Sequence, residues 1–111
     1  MPNNNKKVTP RVRVIQKLYG NSLNSDAVIE YPKSQYKKFI KDVVQGTIER
    51  SDLIEETIKK YISDDIKLNR TDKLLKIIIF AGIFELMYKL NSPTKVIISE
   101  YVKTSEFFLE K

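Results

Sequence analysis

Hydrophobic positions recur along the chain with a spacing close to 3.6 residues, the mark of amphipathic helices. In Thr9–Tyr19, Leu18, Ile15 and Tyr19 fall on one helical face, and Arg13 and Lys17 lie opposite. Thr9 is suited to cap the first turn, and Pro10 fits the first helical position, where a missing N–H costs nothing. Gly20 to Pro32 holds Asn21, Ser22, Asn24, Ser25 and Asp26 and reads as a connecting loop. From about Ser34 to Arg50, Tyr36, Phe39, Ile40, Val43, Val44 and Thr47 form the stripe of a second helix. Ser51 or Asp52 is expected to cap a third, buried through Ile54, Ile58, Tyr61 and Ile62.

The stretch Thr71–Lys89 differs in kind, being apolar nearly all round from Leu74 to Met87. Its β-branched run also suits a buried strand, but Leu86 and Met87 carry the pattern past strand length without a turn signal. A central buried helix is therefore expected, with Gly82 marking a close helix contact. Ser92-Pro93 opens a last helix with Val96, Ile97, Tyr101 and Val102 inward. The reading is an all-α domain of about five helices over residues 9–111, preceded by a flexible basic tail, residues 1–8.

Charge sharpens this picture. The 111-residue chain carries a net +6, but the excess is polarised. Residues 1–41 hold nine Lys/Arg against Asp26 and Glu30, a local +7, whereas the remainder holds eleven basic and twelve acidic residues, −1. Lys6, Lys7, Arg11, Arg13 and Lys17 precede any acidic residue, as expected of a phosphate-binding end. Arg11 lies near the apolar face, where its stem could instead cover core surface. Gln16, beside the basic face, can both donate to and accept from a base edge.

Absent residue types exclude other chemistry. Without Cys there is no disulfide, thiol nucleophile or cysteine metal site, and without His the commonest general base and metal ligand is missing. The pairs Glu55-Glu56 and Asp64-Asp65 are adjacent on a helix, so their side chains do not face each other. No catalytic residue, metal site or cofactor is expected. The polar N-terminus lacks a signal-peptide core, and the longest apolar run, Ile77–Phe84, falls well short of the roughly 20 residues of a membrane span. A cytoplasmic protein without a membrane partner is the expectation.

Four segments, in order, resemble the family of the bacterial transcription antitermination factor NusB. Arg11–Tyr19 is similar to an Arg-rich opening that ends in Gln-x-Leu-Tyr, and Tyr36–Gly46 to an aromatic followed by a hydrophobic pair and Gly. Ile79–Leu86 resembles the buried helix ending in Tyr-Glu-Leu, with Phe84 in the Tyr position and Phe80 where the family usually has a basic residue. Pro93–Val102 resembles Pro-x-Lys-Val-Ala-Ile-Asn-Glu-x-Val. The family's last helix, bearing Phe-Val-Asn-x-Val-Leu-Asp, has no counterpart here. The resemblance therefore implies a C-terminally shortened domain with an apolar groove beneath Phe107, Phe108 and Leu109.

What the resemblance implies is a non-enzymatic factor that binds boxA RNA together with a ribosomal protein, NusE. The pair would load onto the RNA polymerase antitermination complex and suppress termination, notably in rRNA operons. RNA contact then falls to Lys6, Lys7, Arg11, Arg13, Gln16 and Lys17. Tyr19, Asp72 and Glu85 are placed by similarity toward the protein partner. Asp72 also suits a helix N-terminus, and Glu85, costly to bury unpaired, must be hydrogen-bonded or exposed at the bundle edge. Two other classes fit part of the pattern: the N-terminal RNA-targeting module of an RNA cytosine methyltransferase, and a helical protein-binding module.

Overall fold

Five helices follow one another in the computed structural model: α1 Pro10–Leu23, α2 Lys37–Glu49, α3 Ser51–Tyr61, α4 Lys73–Tyr88 and α5 Thr94–Leu109. The structure describes residues 7–61, 72–88 and 92–109, and no strand occurs among them. Lys6, Ile62 and most of the expected N-terminal tail lie outside the described residues. So do Asp64 and Asp65.

Helix α1 starts as its sequence dictates. The Thr9 hydroxyl accepts a hydrogen bond from the Val12 N–H at 3.2 Å, and Pro10 occupies the first turn. It ends later than the loop-like composition predicts. Gly20 is helical, and its carbonyl accepts from the Asn24 N–H at 3.1 Å. A glycine costs only about 1 kcal/mol of propensity, and the burial of Leu18 two residues earlier outweighs that.

Helix α2 starts later than expected. A turn in which the Ser34 hydroxyl accepts from the Tyr36 N–H precedes it, so Tyr36 stands outside the helix and is exposed rather than in the stripe. α3 begins at Ser51 itself, so Ser51 is its first residue and not its cap. Ile54 and Ile58 are buried as predicted, but Tyr61, at the helix end, is 74% exposed.

Helix α4 packs against each of the other four helices. Asp72 caps it, its Oδ2 accepting from the Leu74 and Leu75 N–H groups at 3.1 and 3.3 Å. Ile78, Phe80, Ala81 and Phe84 are buried, while Met87 reaches the surface. A side chain on Gly46 of α2 would overlap the Phe84 ring, lying 2.9 Å from Cε2 and closer to Cζ and Cε1. Glycine there is what lets α2 and α4 approach. At Gly82 a methyl group would meet the Tyr101 ring at 3.5 Å, ordinary contact in a close α4–α5 packing. In α5, Ile97 and Tyr101 point inward as predicted, but Val96 and Val102 are exposed. They lie one residue to either side of the inward positions, so the helical rotation carries them off the packed face. Thr104, one turn beyond Tyr101, completes that face.

Candidate nucleic-acid interface

The N-terminal half of α1 and the segment entering α2 enclose an open cleft of about 520 Å³. Arg13, Gln16 and Lys17 reach it from α1, since spacings of three and four residues share one helical face. Lys33, Tyr36 and Lys37 line it from the opposite side. Four cations and no acidic residue are thus brought to one concavity among the described residues. Arg13 Nη1 donates to Gln16 Oε1 at 3.5 Å, a long contact that leaves both side chains exposed. The next lysine along α2, Lys38, is instead tied to Asp42 at 2.7 Å.

Of the α1 residues predicted to face RNA, Arg11 is corrected. Two positions before Arg13, it lies roughly 200° away around the helix and points into the core. It is 8% exposed. Its Nε and Nη2 donate to Glu85 Oε2 and Oε1 at 3.0 and 2.8 Å, and Nη2 also reaches Ser92 Oγ at 3.4 Å. The guanidinium lies over the rings of Phe39, at 4.9 Å, and Tyr101, at 5.6 Å. Buried, paired with Glu85 and set against two rings, Arg11 is not placed to meet an RNA phosphate.

Glu85 is corrected with it. At 1% exposure it cannot meet a protein partner, and it resolves its own burial by accepting from Arg11 and from the Tyr101 hydroxyl. Burial, then the Glu85 charge, push the Tyr101 hydroxyl well above the usual tyrosine range. This network joins α1, α4 and α5.

The structure brings together the other two residues expected to face a protein partner. Tyr19 and Asp72 border a second cleft, of about 460 Å³, with Leu74 and Phe108. Gln16 lines this cleft as well as the basic one, so the two adjoin along α1. Lys7 is exposed but faces a different surface, near Glu100 and Lys103. Of the residues in the groove expected beneath the end of α5, Phe107 and Phe108 are half-buried with their rings edge to face at 5.0 Å.

The sequence pattern assigns none of Lys33, Tyr36 and Lys37 to this interface, and it places Tyr36 in the apolar stripe of α2 instead. The available signal was the charge excess of residues 1–41, which includes both lysines, but nothing local indicates that residues 33–37 fold back on Arg13.

No helix among the described residues is long and apolar enough to cross a membrane, and no group of His, Cys, Asp and Glu among them could hold a metal ion. No solved structure matches the chain. Among characterised proteins it is similar to the transcription antitermination protein NusB of Mesorhizobium japonicum, 28% identical over 96% of this chain and 80% of the relative. The protein of the same name from Caulobacter vibrioides is 30% identical over 87% of this chain, and that from Nitrobacter hamburgensis 33% identical over 66%. These two matches span 65% and 46% of the relatives' own lengths. The NusB family model matches residues 7–109, nearly all of the five-helix domain, and the chain belongs to the NusB family.

Proposed function

We propose that the protein is a non-enzymatic transcription antitermination factor of the cytoplasm that binds boxA-like RNA in the cleft between α1 and α2. A ribosomal protein, NusE, docks on the adjoining surface around Tyr19 and Asp72. The pair joins the RNA polymerase antitermination complex and suppresses termination, notably in rRNA operons. The observation that carries the RNA reading is the convergence of Arg13, Lys17, Lys33 and Lys37 on one cleft without an acidic neighbour. Each contacted phosphate releases counterions, so binding through such a surface weakens steeply with salt. Gln16 is placed to bond a base edge, because its amide both donates and accepts.

The partner surface is apolar and aromatic at Tyr19, Leu74 and Phe108, with Asp72 and Lys73 beside them. Its contact with the basic cleft through Gln16 explains how RNA and protein could be held side by side on α1.

The test is a salt-titrated binding assay with a boxA-like RNA, with and without the ribosomal protein. The proposal predicts salt-sensitive binding that tightens when the partner is added. Binding of the ribosomal protein with no measurable affinity for RNA, alone or in the pair, would instead identify a protein-binding module.

A further inference from the structure

Tyr36 is the aromatic residue of the basic cleft without a structural task. Its neighbours are committed: Gln45 Nε2 donates to the Tyr31 hydroxyl at 2.9 Å, and the Phe39 ring lies against Arg11. Tyr36 is 48% exposed, and no hydrogen bond or ring contact engages its side chain among the described residues. Although it stands at the N-cap position of α2, its side chain makes no capping bond. Its backbone is nonetheless fixed. The N–H donates to the Ser34 hydroxyl at 3.2 Å, and the carbonyl accepts from the Ile40 N–H at 2.9 Å.

We propose that Tyr36 is a stacking platform for one unpaired nucleobase of a single-stranded RNA bound in the cleft. This rests on the RNA reading above and specifies how that site takes its ligand. An exposed ring on a fixed backbone offers a π-face for which the backbone ordering cost is already met. Lys33 and Lys37 flank it in the chain, with Arg13 and Lys17 on the far wall, so a base on the ring has its neighbouring phosphates within a field of cations. Stacking accepts any base, because every base has a π-face, and it requires a base free of its duplex neighbours. The cleft therefore selects single strands through Tyr36.

The test uses a single-stranded RNA carrying 2-aminopurine and a blunt-ended duplex of matched length, titrated with the full chain and with Tyr36→Ala and Tyr36→Phe. Both variants are checked by circular dichroism for the parent's helix content. The parent should quench 2-aminopurine fluorescence on binding. Tyr36→Ala should lose the quench and about ten-fold in single-strand affinity at unchanged salt slope, whereas Tyr36→Phe keeps both. Duplex binding should be the same for all three. Equal single-strand affinity and quench for Tyr36→Ala and the parent would overturn the platform while leaving the RNA reading intact. So would an equal loss in Tyr36→Phe. A parent that binds neither RNA at low salt would overturn the RNA reading itself.

Discussion

Arg11 and Glu85, 74 residues apart in sequence, meet in a two-point ion pair buried between α1 and α4, at 3.0 and 2.8 Å. The pair fixes the rotation of α1. With Arg11 held inward, Arg13 and Lys17 are turned to the cleft. Removing either partner strands a buried charge, so Arg11→Ala or Glu85→Ala should each lower stability by about 3–5 kcal/mol. Arg11→Met combined with Glu85→Leu should cost far less than the sum of the single losses, since it removes both charges and keeps apolar volume. Urea melts of the three variants measure this.

Tyr101 makes the same network sensitive to alkali. Its folded-state pKa lies well above the ordinary value near 10. The folded state therefore holds the phenolic proton at a pH where the unfolded chain releases it. Its contribution is fully present below about pH 10 and is lost as pH rises above that value. Denaturation midpoints followed from pH 8 upward should fall beyond about pH 10 in the parent, and the fall should be shallower in Tyr101→Phe.

Two glycines in helices should respond oppositely to alanine. Gly46 lies under the Phe84 ring, and Gly20 has nothing within 4 Å of an added methyl group. Gly46→Ala must displace that buried ring and should destabilise by about 1–3 kcal/mol. Gly20→Ala fills open space in α1 and should stabilise by about 0.5–1 kcal/mol. Thermal melts of the pair decide it.

The contrast between these glycines shows what the sequence makes legible. Four helices follow from a buried stripe at 3.6-residue spacing and α4 from an apolar run too long for a strand, and the caps of α1 and α4 follow from Thr9 and Asp72. What periodicity cannot resolve is register around a helix at the edge of its stripe. Arg11 sits at such an edge, and the direction it takes depends on Glu85, which only the folded chain brings near. Val96 and Val102 fail for the same reason. The far wall of the cleft was invisible because Lys33 and Lys37 belong to a segment whose path depends on the Ser34 turn.

Asp72 has two roles to separate, since it caps α4 and borders the proposed partner surface. Asp72→Asn retains an oxygen for the Leu74 and Leu75 N–H groups while removing the charge. It should leave stability nearly unchanged and weaken binding of the ribosomal protein. Asp72→Ala removes the cap and should cost about 1 kcal/mol as well. Calorimetric titration of the partner, with a melt of each variant, separates the two. Parent-like partner affinity in Asp72→Asn would exclude Asp72 from that surface.

The central claim is that the cleft between α1 and α2 is where RNA phosphates bind, and the salt dependence of RNA binding tests it most directly. The measurement is the slope of log affinity against log salt for a boxA-like single strand, compared between the parent and two double variants. Arg13→Ala with Lys17→Ala removes one wall, and Lys33→Ala with Lys37→Ala removes the other. At about 0.7 per phosphate contact on a single strand, each pair should flatten the slope by up to about 1.4. Lys38→Ala, which removes a lysine already paired with Asp42, should leave it unchanged. Double variants with the parent's slope and affinity would contradict the assignment of RNA to this cleft.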